Sequence, residues 1–200
     1  MTDMFATVQD VEDFLQVEIG SEQESAVERA LREATAAIRN YCRQHLSMVT
    51  DDIITLDCAG GNRIFLPELP VIAVSRVVEN GKTLTAGVDY RLGQHGILHR
   101  IGRPWTAGVQ VITVTYSHGY SIIPDDIVAV CTRAAARAFQ AGLRAAESGA
   151  VPGVASKSLG DFSVSYQSDV GGGVGEGVLG ASAARFLLMS EKDILDRYRI

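Results

Sequence analysis

The residues whose types and spacing could do chemistry are few and scattered. Gly175-Glu176-Gly177-Val178-Leu179-Gly180 spells G-x-G-x-x-G, the pattern in which glycines let a backbone close on a pyrophosphate at a helix N-terminus. That use needs a βαβ unit and an acidic residue on the following strand. The residues after Gly180 have a helical pattern instead, and six glycines crowd positions 171–180, so the stretch reads as a linker. No Lys-Ser or Lys-Thr follows these glycines, which excludes a phosphate-binding loop there. His95 and His99 have the i, i+4 spacing that can share a metal on a helix. Here they straddle a turn pattern, Gly93-Gln94-His95-Gly96, with no cysteine or carboxylate close by in sequence. His118 is one further imidazole that folding could bring near, but solvated turn histidines are the plainer reading. Asp125 and Asp126 follow Pro124, where a helix N-terminus accounts for both carboxylates. Ser117-His118-Gly119 is not a nucleophile elbow. No catalytic residue, metal ligand or cofactor is expected.

The chain has 200 residues, 24 acidic and 18 basic side chains, and a formal net charge of −6. That length suits one domain with an appendage, and the acidic balance argues against a dedicated nucleic-acid binder. No apolar run approaches the roughly 18–20 residues needed to span a bilayer, so no membrane association is expected. The first residues, Met1-Thr2-Asp3-Met4-Phe5, lack the basic and apolar regions of a secretion signal. Cys42, Cys58 and Cys131 are odd in number and far apart; they read as reduced thiols, without a disulfide framework.

Elements able to position these groups can be read from spacing. Thr7 and Asp10 predict a short helix with Val8, Val11 and Leu15 on one face and Gly20 as its stop. Ser21-Glu22-Gln23-Glu24 predicts a capping box. Val27, Ala30, Leu31, Ala34, Ile38 and Tyr41 then predict a long amphipathic helix to about Leu46. Between residues 52 and 120 short β-branched runs alternate with turn signals. Asn80-Gly81 and Gly93–Gly96 predict hairpins, and Val109–Tyr116 the longest strand. After Pro124, the stripe Ile127, Val130, Cys131, Ala134, Ala138, Ala141 and Ala145 predicts a second long helix that approaches the first closely. Arg133, Arg137 and Arg144 lie within about 40° of one another on that helix. They suit either solvent or an acidic partner or neighbouring subunit, and they are the candidate subunit-interface residues. Asp161–Tyr166 alternates like a strand, and Ser190 caps a last short helix with Ile194, Leu195 and Tyr198 on its apolar side. The expected class is α+β. Residues 1–149 form a helical core of two long helices with a small antiparallel β-subdomain inserted at about 52–120. Residues 150–200 form a flexible C-terminal arm, with a Gly-rich linker, ending in a short helix.

The order of motifs carries a resemblance. Leu69-Pro70-Val71, Gly87-Val88-Asp89-Tyr90, Gly96-Ile97-Leu98 and Trp105 come first. They are followed by Val114-Thr115-Tyr116-Ser117-His118-Gly119-Tyr120, Ile123-Pro124 opening an Ala-rich helix, Leu159–Val164 and Asp196-Arg197-Tyr198-Arg199. This resembles the head-to-tail adaptor (connector) proteins of long-tailed phages, especially those infecting actinobacteria. The T-Y-x-H-G-Y run followed by x-x-P and a helix is the most specific part. The resemblance implies a structural virion protein at the head–tail interface, assembled in the host cytoplasm, and not an enzyme. It implies a dodecameric ring of identical adaptor subunits beneath the portal protein. That ring would extend the channel through which genomic DNA slides and carry the stopper (head-completion) protein and tail. In such proteins the C-terminal segment reaches toward the portal. Here that implies portal-binding roles for Ile194, Leu195, Tyr198 and Ile200, with Arg197 and Arg199 adding charge pairing. A stopper or tail terminator is the neighbouring alternative, but those are usually shorter and β-dominated; an enzyme with an unrecognised site is the remaining one.

Overall fold

A computed structural model describes residues 3–148, 156–159, 162–165 and 186–200. Helix α1, Val8–Leu15, starts where Thr7 accepts from the Asp10 amide while the Asp10 carboxylate accepts from the Thr7 amide. It ends at Gln16, which takes the left-handed conformation expected of Gly20. Gly20 instead precedes α2, Ser21–Cys42, and its carbonyl accepts from the Gln23 and Glu24 amides. The expected Ser21 capping box is therefore not formed: the helix begins one residue earlier than that box requires. At its far end α2 stops at Cys42, not near Leu46, because Arg43 turns left-handed at φ 56°.

Seven strands follow: β1 Val49–Cys58, β2 Arg63–Phe65, β3 Val71–Glu79, β4 Lys82–Thr83, β5 Tyr90–Leu92, β6 Ile97–Arg100 and β7 Gly108–His118. They make two antiparallel sheets, one in the order β1-β7-β3-β4 and one in the order β2-β6-β5. Asn80 and Gly81, both at positive φ, close the β3–β4 hairpin, as a two-residue primed turn demands. Between the sheets lies an apolar core of Ile64, Val77, Leu98, Trp105, Ile112, Val114 and Tyr116. One buried polar cluster pins its rim. The Glu79 carboxylate accepts from the Thr106 amide (2.8 Å) and hydroxyl (3.0 Å), from Arg100 (3.2 Å) and from Arg103 (2.5 Å).

Helix α3, Asp125–Ser148, packs on α2. Val27, Leu31, Ile38, Ile127, Val130 and Ala135 are inaccessible to solvent along this contact. Ala30, Ala34, Ala134 and Ala135 supply the small side chains that let two helices approach closely. Strands β8, Ser156–Leu159, and β9, Phe162–Ser165, pair as a hairpin, which agrees with the strand-like alternation of the sequence. Helix α4, Met189–Leu195, and a 3-10 turn, Asp196–Tyr198, close the chain. The helix starts after Leu188, whose amide donates to Glu191; Ser190 lies inside the helix and is not its cap. The architecture is the expected α+β arrangement, with the β-subdomain inserted between the two long helices. The Gly-rich stretch 171–180, with its G-x-G-x-x-G match, lies outside the described residues.

Candidate assembly surface

The seam between helices and sheets is set by backbone bonds at the end of β7. The Met48 amide donates to the Tyr120 carbonyl (3.0 Å), the Tyr120 amide to Leu46 (2.7 Å) and the Gly119 amide to Pro70 (3.0 Å). Gly119 is held at φ 88°, and a Cβ there would lie 2.2 Å from the Ser47 carbonyl oxygen. That contact gives a steric reason for glycine in the T-Y-x-H-G-Y run.

The C-terminal segment sits against this seam and against α2 and α3. Leu195 is fully buried in the helical core, and Ile194 and Tyr198 pack against it. Polar contacts fix its path. Arg137 of α3 grips the Glu191 carboxylate with two hydrogen bonds, at 2.6 and 2.7 Å, and also reaches the Phe186 carbonyl. Tyr41 donates to Asp196 (2.6 Å), and Tyr198 donates to Asp126 at 2.8 Å. Gln44 joins all three parts: its amide donates to the Tyr198 carbonyl and its carbonyl accepts from the Leu69 amide. Burial, reinforced by the bond to Asp126, pushes the Tyr198 hydroxyl up to about 12. The Asp196 hydrogen bond, with some burial, raises Tyr41. Burial likewise lifts the Cys42 and Cys131 thiols to about 11, which makes them poor nucleophiles.

These contacts decide what the segment can offer to anything else. In this arrangement Leu195 faces its own subunit, and Tyr198 and Ile194 are partly covered, whereas Arg197, Arg199 and Ile200 are exposed. The last three border a cleft of about 400 Å³ whose other wall includes Gln44, Leu92 and His95. Of the three stripe arginines, Arg137 is engaged with Glu191. Arg133 bends back to the Ala129 carbonyl, and Arg144 is exposed. The histidines are not brought together. His118 is buried beside Asp52 at 3.3 Å, His95 lies exposed in the β5–β6 turn, and His99 sits on β6. Among the described residues no group of three or more His, Cys, Asp or Glu side chains is placed to hold a metal, and no helix is long and apolar enough to cross a membrane. Sequence reasoning did not find Tyr41, Gln44, Asp126 and Glu191 as anchors of the segment. Each is separated from its partner by 25 or more positions, so no local spacing signals it. Arg137, expected as a candidate subunit-interface residue, instead pairs with Glu191 of its own subunit.

The comparisons with known proteins fall on this geometry. Among curated proteins none matches the chain. Among solved structures, a chain in the neck of an empty gene transfer agent particle is similar, with a TM-score of 0.51 at 15% identity, over 96% of this chain and 88% of that one. A chain in the virion of the native gene transfer agent particle is similar at a TM-score of 0.50 and 15% identity, over 96% and 87%. Identity at that level speaks for the fold. The model of the family described as head completion protein matches residues 4–133, which takes in α1, α2, the whole β-subdomain and the start of α3. The chain belongs to the head completion protein family.

Proposed function

We propose that the protein is the head-to-tail adaptor of a long-tailed phage of actinobacterial type. It would form a ring beneath the portal protein, extend the DNA channel and carry the stopper and tail. Membership of the head completion family, matched over residues 4–133, supports a place in the head–tail neck, and the choice of adaptor within it rests on the architecture and the sequence resemblance. Two long helices flanking an inserted sheet unit favour the adaptor over the stopper, and the sequence resemblance favours it further. The role is structural: the subunit supplies a wedge for a ring and surfaces for its neighbours. Portal attachment falls to the exposed end of the C-terminal segment, Arg197, Arg199 and Ile200. Ile194, Leu195 and Tyr198 hold that end in place from below, and they could reach the portal only if the segment left its seat. An acidic subunit suits a channel through which DNA slides, because few cations are offered to the phosphates.

The test is a comparison of two variants in particle assembly. Arg197→Glu/Arg199→Glu should leave a folded subunit that fails to join portal-bearing heads. Leu195→Ala should instead lower the stability of the subunit itself. Normal joining of the charge-reversed protein to the portal would remove the C-terminal segment from the attachment role. Joining only to heads that already carry an adaptor would assign the protein to the stopper position.

A further inference from the structure

The three-stranded sheet β2-β6-β5 presents an outer face whose two arginines make no ion pair among the described residues. Arg63 of β2 pairs in register with His99 of β6, and Arg91 of β5 pairs with the same His99. Residues directly opposite share a face, so two guanidinium groups flank one imidazole in a row about 10 Å across. The inner face is identified by its buried residues, Ile64 and Leu98; Arg63 and Arg91 on the other side are exposed. Phe65, two residues from Arg63 and so on the same face, is 66% exposed. Like charges held at neighbouring sheet positions repel one another, and no carboxylate among the described residues pairs with these two arginines.

The complementary surface lies at the other end of the same chain. Residues 1–42 contain nine acidic and three basic side chains, so this segment carries an excess equal to the whole chain's net charge of −6. At the α1–α2 corner Phe14 and Val17 are each 52% exposed. They are set among Asp13, Glu18, Glu22 and Glu24, all exposed. This is an apolar centre in an acidic rim, opposite in sign to Phe65 in its basic rim. A patch that is self-complementary would make a closed pair, whereas two different complementary patches on one chain make a head-to-tail contact, which closes into a ring when the rotation permits.

We propose that the outer face of β2-β6-β5 docks onto the α1–α2 corner of a second copy of this chain. Phe65 packs beside the neighbour's Phe14 and Val17, and Arg63 and Arg91 pair with its carboxylates. This rests on the ring reading above and assigns a heterologous contact to it. Attraction of this kind is screened by salt, so assembly weakens as ionic strength rises.

Particles assembled with a Val17→Cys/Phe65→Cys chain test it by oxidation and denaturing electrophoresis. The three native cysteines are buried and do not compete. A ladder of covalent multimers is expected from the double variant, with nothing beyond dimer from either single variant. Arg63→Glu/Arg91→Glu should lower incorporation at least ten-fold, and adding Glu18→Lys/Glu22→Lys to the same chain should restore it. Incorporated protein that gives no ladder, or normal incorporation of the Arg63→Glu/Arg91→Glu chain, overturns this contact while leaving the ring reading in place. Normal incorporation with DNA lost from the filled particle would assign the basic row to nucleic acid and also overturn it. A wild-type chain absent from the neck overturns both readings.

Discussion

Gly119 carries the tightest steric constraint at the seam, since a side chain there would meet the Ser47 backbone and not a movable side chain. Gly119→Ala is expected to cost about 3 kcal/mol or more, from the positive φ together with the clash; chemical denaturation of the purified variant measures it. Ionisation gives two further expectations. Burial alone would push the Glu79 carboxyl up, but the Thr106 amide and hydroxyl with Arg100 and Arg103 outweigh it and hold Glu79 below its ordinary value of 4.5. A depressed native value means that this contribution is complete above that ordinary value and is lost as pH falls through the native one. Stability should therefore drop on acidification below about 4.5, and Glu79→Gln should flatten that part of the profile. At the alkaline end the sign reverses. Cys42 and Cys131 are raised from 9.0 to about 11, and Tyr198 from 10.0 to about 12. The unfolded chain loses these protons first, so the contribution of these groups is complete below pH 9 and is lost progressively as pH rises through 9 to 12. Melting temperatures across that range, with Tyr198→Phe as the comparison, would show it.

At the scale of elements, the C-terminal segment is attached to the subunit through the buried Leu187 and Leu195, the buried Glu191 carboxylate and the hydrogen bonds of Tyr41, Gln44 and Asp126. Leu195→Ala should cost about 2–5 kcal/mol through the cavity it leaves. Arg137→Ala should cost about 2–3 kcal/mol, because it removes the charged partner of a buried Glu191 and leaves that carboxylate only the Leu188 amide among the described residues, while the partly exposed arginine limits the loss. Ile200→Ser, at an exposed position, should stay within about 0.5 kcal/mol. Denaturant midpoints for the three variants rank them directly. Much of the framework was legible beforehand because its signals are local. Thr7 with Asp10 marks α1, Asn80-Gly81 marks a hairpin, and the alanine stripe after Pro124 marks a helix that must approach another. The misread positions are those where two local signals competed. Gly20 could end one helix or begin the next, and the left-handed Gln16 and Arg43 ended helices without the glycine that usually does so. Ser190 looked like a cap, but burial of Leu195 and the pull of Arg137 on Glu191 set the start of α4 instead. The surfaces were less legible than the elements. The row Arg63–His99–Arg91 exists only once the strand register is known, and the fate of Arg137 depends on a residue 54 positions away.

At the scale of the whole molecule, three surfaces stand out among the described residues of the helical pair, the inserted sheets and the C-terminal segment. These are an acidic corner at α1–α2, a basic sheet face on β2-β6-β5, and the exposed Arg197–Ile200 end beside its cleft. In the proposed head-to-tail assembly the two oppositely charged patches would meet on neighbouring copies, and the C-terminal end would be left for the portal. The free chain is expected to be a monomer or small oligomer at modest concentration, since the proposed contact between copies would be partly electrostatic and screened by salt. Light scattering on the isolated protein would reveal this, and a stable large ring without portal would show that self-association alone suffices. The most direct test of the account is a reconstruction of the neck of particles carrying this protein. The account predicts a ring of this chain directly beneath the portal, with Arg197–Ile200 on the portal side. Density for this chain below another adaptor, or its absence from the neck, would contradict it.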